Sequence, residues 1–509
     1  MTNVPAGGSR FVVPAIIAAH ALLAIALSAI LSIWTDEGYS LAATSGTFPE
    51  TLHQARHFEG QPPVYFSLLW VWRCVNESAF WGRMLSVLFS VLALFVSAGV
   101  AKRVLPGIHP GWIILPIAFH PLTVYASCEL RVSALLLLFS SLLTLSFVEG
   151  FAIKTPSRST AIAYGVLSVV ALYTFQYLGF ILVANAAALL ALRRWRPLAI
   201  YLSTMVVVGL CYIPEAVAVL NQVRMHTADL SSPNSWADSV KYMVQRVMRY
   251  AWPVQGVPFV EMTPTRKLII PIILVAPIAA IVIKCRHAIT PLHIAISVSA
   301  SFLFTVFVVV AHTMTPSAAL PHHTSALFLL VQLSVFGVIH LMTGRPRWWA
   351  VAAWTCIATS SACMALIDLY KPLAKPGDWQ RVARHIESHE EIGQPILIFT
   401  AETALPIAYY YTGQNVLVPL PQAEDFVAYD MNDQVLHDES DIEEALSETP
   451  PLNGTIWVIT GHGPGSQNWL GIDFRAEILE EYLRKRYTLE TDSPFYKSRV
   501  RRYKSKDVN

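Results

Sequence analysis

The stretch Phe11 to Ile33, FVVPAIIAAHALLAIALSAILSI, contains no charged side chain, and Trp34-Thr35-Asp36-Glu37 follows it at once. A bilayer core takes about 20 apolar residues of α-helix, so the run crosses a membrane. Two adjacent carboxylates then emerge where the helix leaves the bilayer. The run exceeds the apolar core of a signal peptide, and Asp-Glu is a poor small-residue cleavage site, so the segment is expected to remain as an anchor.

The rest of the chain repeats the pattern. Of 509 residues, 54% are hydrophobic and only 14% charged, a balance far from that of soluble domains. The class is a polytopic α-helical membrane protein. A formal charge of +2, with lysines and arginines dispersed, argues against nucleic acid as a partner. Cys74, Cys128, Cys211, Cys285, Cys356 and Cys363 lie in or beside apolar runs without a CxxC pair, and read as small core residues.

Taking about 20 residues per crossing, about eleven crossings precede a change of composition near Tyr370. They start near Phe11, Ala79, Gly111, Arg131, Thr160, Gln176, Pro197, Lys267, Pro291, Ser317 and Trp348. The stretch from Thr160 to Leu192 is long for one helix and short for two. Charge decides it. If it turns near Gln176-Tyr177, then Arg10, Lys102-Arg103, Lys154 with Arg158, Arg193-Arg194 with Arg196, Lys284 with Arg286, and Arg345 with Arg347 share one side. The positive-inside rule makes that side cytoplasmic, so Asp36-Glu37 and the C-terminal segment face outward.

From Lys371 the pattern becomes that of a soluble α/β domain. Asp378-Trp379-Gln380 opens an amphipathic helix, Pro395 to Phe399 reads as a buried strand, Ala404 to Tyr411 as helix and Asn415 to Pro419 as strand. Ile442 to Leu446 is expected to be helical, Thr455 to Thr460 a strand and Arg475 to Arg486 a helix. The expected domains are therefore a transmembrane catalytic part, residues 1–370, and a small extracytoplasmic α/β domain, 371–509. Trp236 to Tyr250 suggests an amphipathic helix lying on the membrane. The loop Thr460-Gly461-His462-Gly463-Pro464-Gly465 lacks the Lys-Ser/Thr of a phosphate loop and reads as a turn.

The polar residues on the outer side suit one chemistry. A sugar moved from a lipid-linked phosphate to a hydroxyl requires a base for the hydroxyl proton, and Asp36 is the candidate. The leaving phosphate ester needs cations to stabilise its charge, which Arg83 and Arg131 could supply.

The order Asp36-Glu37, Gln61-Pro62-Pro63-Val64-Tyr65, Arg83-Met84-Leu85-Ser86, Pro121 to Tyr125 and Ser127-Cys128-Glu129-Leu130-Arg131 resembles the membrane glycosyltransferases of the GT-C fold. Within them it is similar to the protein-mannosyltransferase and aminoarabinose-transferase relatives, including the bacterial RgtA/B/C/D-like group. The resemblance covers most of the membrane part. It implies an inverting transfer from a polyprenyl-phosphate sugar on the outer face of a bacterial plasma membrane. Asp36 would be the base and Glu37 would position the acceptor or tune Asp36.

On the same resemblance, Arg83 and Arg131 would bind the donor phosphate. Read from their own chemistry, His322 and His323 could contact that phosphate when protonated, and His57, Glu59, Gln61, Tyr65 and Glu129 would line the acceptor or sugar site. Gln61 stands where the family usually has histidine, and Pro321-His322-His323 where relatives often have Arg-Tyr. Neither these residues nor the resemblance settles a cofactor: none is called for outright, and His57, Glu59, His322 and His323 are of types that could hold a divalent metal. The acceptor class, whether lipid, polysaccharide or protein, stays open. The rival reading is a transporter, a flippase or a non-catalytic binder of lipid-linked glycan.

Overall fold

The computed structural model describes residues 9–227, 235–253, 279–313, 323–375, 377–426, 430–461, 468–469 and 472–506. The chain divides into two compact units, one of Met1–Ala26, Arg83–Ala228 and Ser232–Leu369, the other containing Leu27–Gly82 and Tyr370–Asn509. The residues that follow the first membrane helix thus belong to the same unit as the C-terminal domain. The chain is a multi-pass membrane protein. Among the described residues six helices are long and apolar enough to cross a bilayer: Val12–Ile30, Ala79–Val104, Ser133–Ala152, Trp195–Val219, Pro291–Thr313 and Gly344–Leu369. Shorter apolar helices are Arg158–Leu172, Gln176–Ala191 and Ser325–His340.

The stretch from Thr160 to Leu192 does form two helices, with a 3₁₀ turn at Gln176–Leu178 between Arg158–Leu172 and Gly179–Ala191. The expected start near Gly111 opens a broken helix instead of a continuous one. Pro121 cannot continue the Pro110–Ala118 helix, so the chain restarts as Pro121–Ser127 with the His120 side chain capping it at Leu122 N–H, 3.1 Å away. The run expected near Lys267 begins outside the described residues.

No water satisfies polar groups at bilayer depth, so they pair inside the protein. His20 Nδ1 lies 2.7 Å from the Ala118 carbonyl, and its Nε2 lies 3.2 Å from Ser90 Oγ and 3.1 Å from Ser127 Oγ. Asn185 donates to the Tyr164 hydroxyl at 2.9 Å, and Tyr201 donates to the Leu182 carbonyl at 2.8 Å. Ser141, Thr144 and Ser168 bond back to carbonyls four residues earlier. The amphipathic helix spans Trp236–Ala251. It buries Ser239, Met243, Arg246 and Tyr250 and exposes Trp236, Val240 and Val244.

In the second unit the central sheet has the order β2-β1-β3-β7-β6, with β1 Ile396–Phe399, β2 Leu417–Pro419, β3 Thr455–Gly461, β6 Tyr487–Phe495 and β7 Ser498–Ser505. A two-stranded ribbon pairs β4 Asn468–Trp469 with β5 Ile472–Asp473. β1 runs parallel to both β2 and β3, while β3–β7 and β7–β6 are antiparallel. All four residues of β1 are buried because the strand is covered on both faces. Ile396 and Ile398 pack with Trp379, Val382, Ile386, Ile407 and Trp457 on one side. Leu397 and Phe399 pack with Ile442, Leu446, Leu479 and Leu483 on the other.

Trp457 is 1% exposed, and its Nε1 donates to Gln394 Oε1 at 2.9 Å. Trp457→Ala should therefore cost about 3–5 kcal/mol through lost burial and an unfilled cavity. Denaturant unfolding followed by the signal of this domain checks it. A loss under about 1 kcal/mol would mean that the face collapses around the missing ring.

Candidate active site

Site geometry is built on a short helix, Thr35–Ala43, that starts two residues after the apolar anchor run. Its first turn carries Asp36 and Glu37, where carboxylates are favoured by the helix dipole. The far end is held by Arg73, which donates to the Leu41 carbonyl at 2.7 Å and also to Thr44 Oγ1. A cation on the last carbonyls complements the same dipole. Gly38 lets the helix seat on Ala404–Tyr410, since a Cβ there would lie 3.1 Å from Leu405 Cβ. Tyr410 Oη accepts from Ile33 N–H at 2.8 Å, and Tyr409 Oη from Ala79 N–H at 2.9 Å.

The two adjacent carboxylates have different surroundings. Glu37 is fully buried and paired with Lys375 Nζ at 2.7 Å, with Lys375 itself 2% exposed. Glu37 Oε2 also accepts from Trp34 N–H at 3.4 Å. Asp36 is only partly buried.

One turn beyond Asp36, Tyr39 reaches the C-terminal domain and donates to Glu402 Oε2 at 3.4 Å. Glu402 follows the carboxyl end of β1, and Glu424 follows that of the neighbouring parallel strand β2. The space beyond the carboxyl ends of parallel strands is where α/β sheets bind ligands. Burial pushes the Glu402 carboxyl up to about 7, helped by the charges of Asp36 and Glu424 and opposed by hydrogen bonds from Tyr39 and Thr400. Burial likewise lifts Glu424 to about 7, with Asp433 and Asp425 adding to it. Gln434 links the pair: its Oε1 accepts from Glu402 N–H at 3.1 Å and its Nε2 donates to Glu424.

The other expected residues of this unit lie close along the chain. His57 is exposed at the end of the Phe48–His57 helix, stacked on His53 with ring centroids 4.3 Å apart. Glu59 and Gln61 are partly buried in the following turn, their N–H groups bonded to the Gln54 and Ala55 carbonyls, each at 2.9 Å. Tyr65 is 1% exposed and packs edge-on against Phe66.

In the membrane unit Arg83 is 2% exposed and Glu129 fully buried, while Arg131 is partly buried just before the Ser133–Phe147 helix. His323 stacks on Tyr177, centroids 5.0 Å apart, and on Phe175 at 5.4 Å. His322 and the loop His462 to Gly465 lie outside the described residues. Among the described residues no three His, Cys, Asp or Glu side chains are grouped to hold a metal.

Sequence reasoning missed Arg73, Tyr39, Lys375, Glu402 and Glu424. Tyr39 lies in the Thr35–Ala43 helix itself, and Arg73, Lys375 and Glu402 reach that helix through contacts distant in sequence, with Glu424 beside Glu402, so no local spacing announces the group.

No family model matches the chain, and no curated protein matches it. Solved structures do. ArnT from Cupriavidus metallidurans bound to undecaprenyl phosphate is 14% identical with a TM-score of 0.58, over 96% of this chain and 97% of that one. The apo state of the same enzyme gives 13% identity and the same TM-score of 0.58 and coverage, 96% and 97%. The oligosaccharyltransferase of Archaeoglobus fulgidus, tethered to an acceptor peptide, gives 10% identity and a TM-score of 0.46 over 89% of this chain and 69% of that one. Along nearly its whole length, the chain has the GT-C fold of the membrane glycosyltransferases.

Proposed function

We propose that the protein is an inverting glycosyltransferase that moves a sugar from a polyprenyl-phosphate donor to a hydroxyl acceptor on the outer face of the membrane. The observation that carries this reading is the division of labour between adjacent carboxylates. Glu37 is consumed in a buried ion pair that fixes the helix turn, while Asp36, one residue earlier, remains partly exposed. The likeness in fold to an enzyme crystallised with undecaprenyl phosphate supports the same donor class.

Asp36 removes the proton of the acceptor hydroxyl as the oxygen attacks the anomeric carbon from the face opposite the phosphate. The bond from that carbon to the phosphate oxygen breaks, and the lipid phosphate leaves as an anion. Arg83 and Arg131, with His322 and His323, bind that phosphate and stabilise its growing charge. Glu37 holds Asp36 in place, and His57, Glu59, Gln61, Tyr65 and Glu129 contact the sugar or the acceptor. The α/β domain, residues 371–509, recognises the acceptor. The lysine and arginine distribution supports a cytoplasmic N-terminus and an outward C-terminus, and the family resemblance supports a bacterial plasma membrane.

Purified protein supplied with polyprenyl-phosphate sugars and membrane extract should transfer labelled sugar. Arg131→Gln should lower kcat/KM for the donor roughly 10- to 100-fold, the worth of one charge-assisted hydrogen bond to phosphate. An unchanged kcat/KM would remove Arg131 from the donor site.

A further inference from the structure

The C-terminal domain contributes ionisable groups to the surroundings of Asp36 that the proposed reaction has not yet used. Tyr39 lies one helical turn after Asp36 and donates to Glu402 Oε2 at 3.4 Å. Glu402 is further tied by Thr400 Oγ1, which donates to its Oε1 at 3.5 Å, and by its own N–H to Gln434 at 3.1 Å. The ionisable groups facing it are Asp36 and Tyr39 from the Thr35–Ala43 helix and Glu424 from the segment after β2. Glu424 in turn faces Asp433 and Asp425. Among the described residues the groups that act on Glu402 are carboxylates and hydroxyls, and Lys375 is paired with Glu37.

We infer that Glu402 is a positioning residue of the proposed reaction: its negative charge, brought to the Asp36 helix through Tyr39, makes Asp36 a stronger proton acceptor. The inference rests on Asp36 being the base. Like charges disfavour joint ionisation, so an ionised Glu402 favours proton uptake by Asp36. A protonated Glu402 withdraws that assistance. Because the Glu402 carboxyl titrates at about 7, the assistance is present above that pH and lost below it. Coupling of this kind is reciprocal, so the charge of Asp36 must raise Glu402 as much as Glu402 assists Asp36.

Infrared titration of the protonated-carboxyl band reads this without activity. In the full-length protein, the wild-type minus Glu402→Gln difference should isolate a carboxyl with a midpoint at about 7. Asp36→Asn should move that midpoint down, because a like charge is removed. Tyr39→Phe should move it up, because the hydrogen bond that favours the carboxylate is removed. In the transfer assay, Glu402→Gln should lower kcat roughly threefold or more above pH 7 and abolish the ionisation step near 7.

Opposite shifts in the two variants support the inference, since a merely structural role for Glu402 would not produce them. A midpoint in the ordinary carboxylate range, or one that Asp36→Asn leaves in place, overturns it while the transfer reading stands. Coupled carboxyls in a wild-type protein that transfers no sugar overturn the transfer reading itself, and the positioning role of Glu402 with it.

Discussion

Asp36→Asn is expected to lower the rate of sugar transfer by about 10²- to 10⁴-fold, the usual worth of a positioned general base, while leaving the folded protein and its affinity for donor intact. The expectation of an intact fold comes from the surroundings. Asp36 is partly exposed at the start of its helix, and the turn is held by its neighbour Glu37 through the buried pair with Lys375. An amide in place of the carboxylate keeps the shape and loses only the ability to take a proton. Single-turnover kinetics with preloaded donor separate the chemical step from binding. A loss confined to donor KM would instead place Asp36 in donor recognition.

Lys375→Met should be among the most damaging single substitutions in the unit that carries Asp36. Glu37 is fully buried, Lys375 is 2% exposed, and their charged groups lie 2.7 Å apart. Removing one partner of a buried pair leaves an uncompensated charge, at a cost of about 3–5 kcal/mol. The damage should reach the chemistry, because the same pair fixes the turn that carries Asp36. The double variant Glu37→Gln with Lys375→Met should recover most of the stability, since a neutral buried pair carries no such penalty. Thermal unfolding in detergent of the single and double variants makes the comparison. Equal losses in both would show that Lys375 matters through packing and not through charge.

Much of the membrane architecture was legible because a bilayer demands long apolar runs, and hydropathy reads these directly. The hairpin between Thr160 and Leu192 came from charge placement alone, and the structure has its turn at Gln176–Leu178. The strands β1 and β3 were legible for a similar reason: both are covered on two faces and so are nearly continuous apolar runs.

The β6–β7 hairpin escaped the sequence reading. Thr488, Glu490 and Asp492 are exposed along β6, and the arginines of β7 pair with carboxylates, Arg501 with Glu480 and Arg502 with Glu490. Such strands carry little hydrophobic signal. The short helices Thr35–Ala43 and Phe48–His57 were hidden likewise, and Val64–Arg73, though apolar, is too short to stand out as a span. In the site itself Asp36 and Glu37 could be singled out because charge beside an apolar run stands out. Lys375, between Pro372 and Pro376 in a linker, carries no such mark. Its importance exists only once the chain brings residue 375 against residue 37.

The central claim is that the sugar leaves its lipid carrier on this protein. Its most direct test follows a polyprenyl-phosphate sugar labelled in both lipid and sugar after incubation with purified protein in vesicles containing acceptor. The account predicts that free polyprenyl phosphate appears in step with glycosylated acceptor, that the new linkage has the opposite anomeric configuration, and that Asp36→Asn slows the appearance of both products by about 10²- to 10⁴-fold. Lipid-linked sugar recovered intact on the opposite leaflet, at equal rates in wild type and Asp36→Asn, would contradict it and make the protein a carrier of lipid-linked glycan.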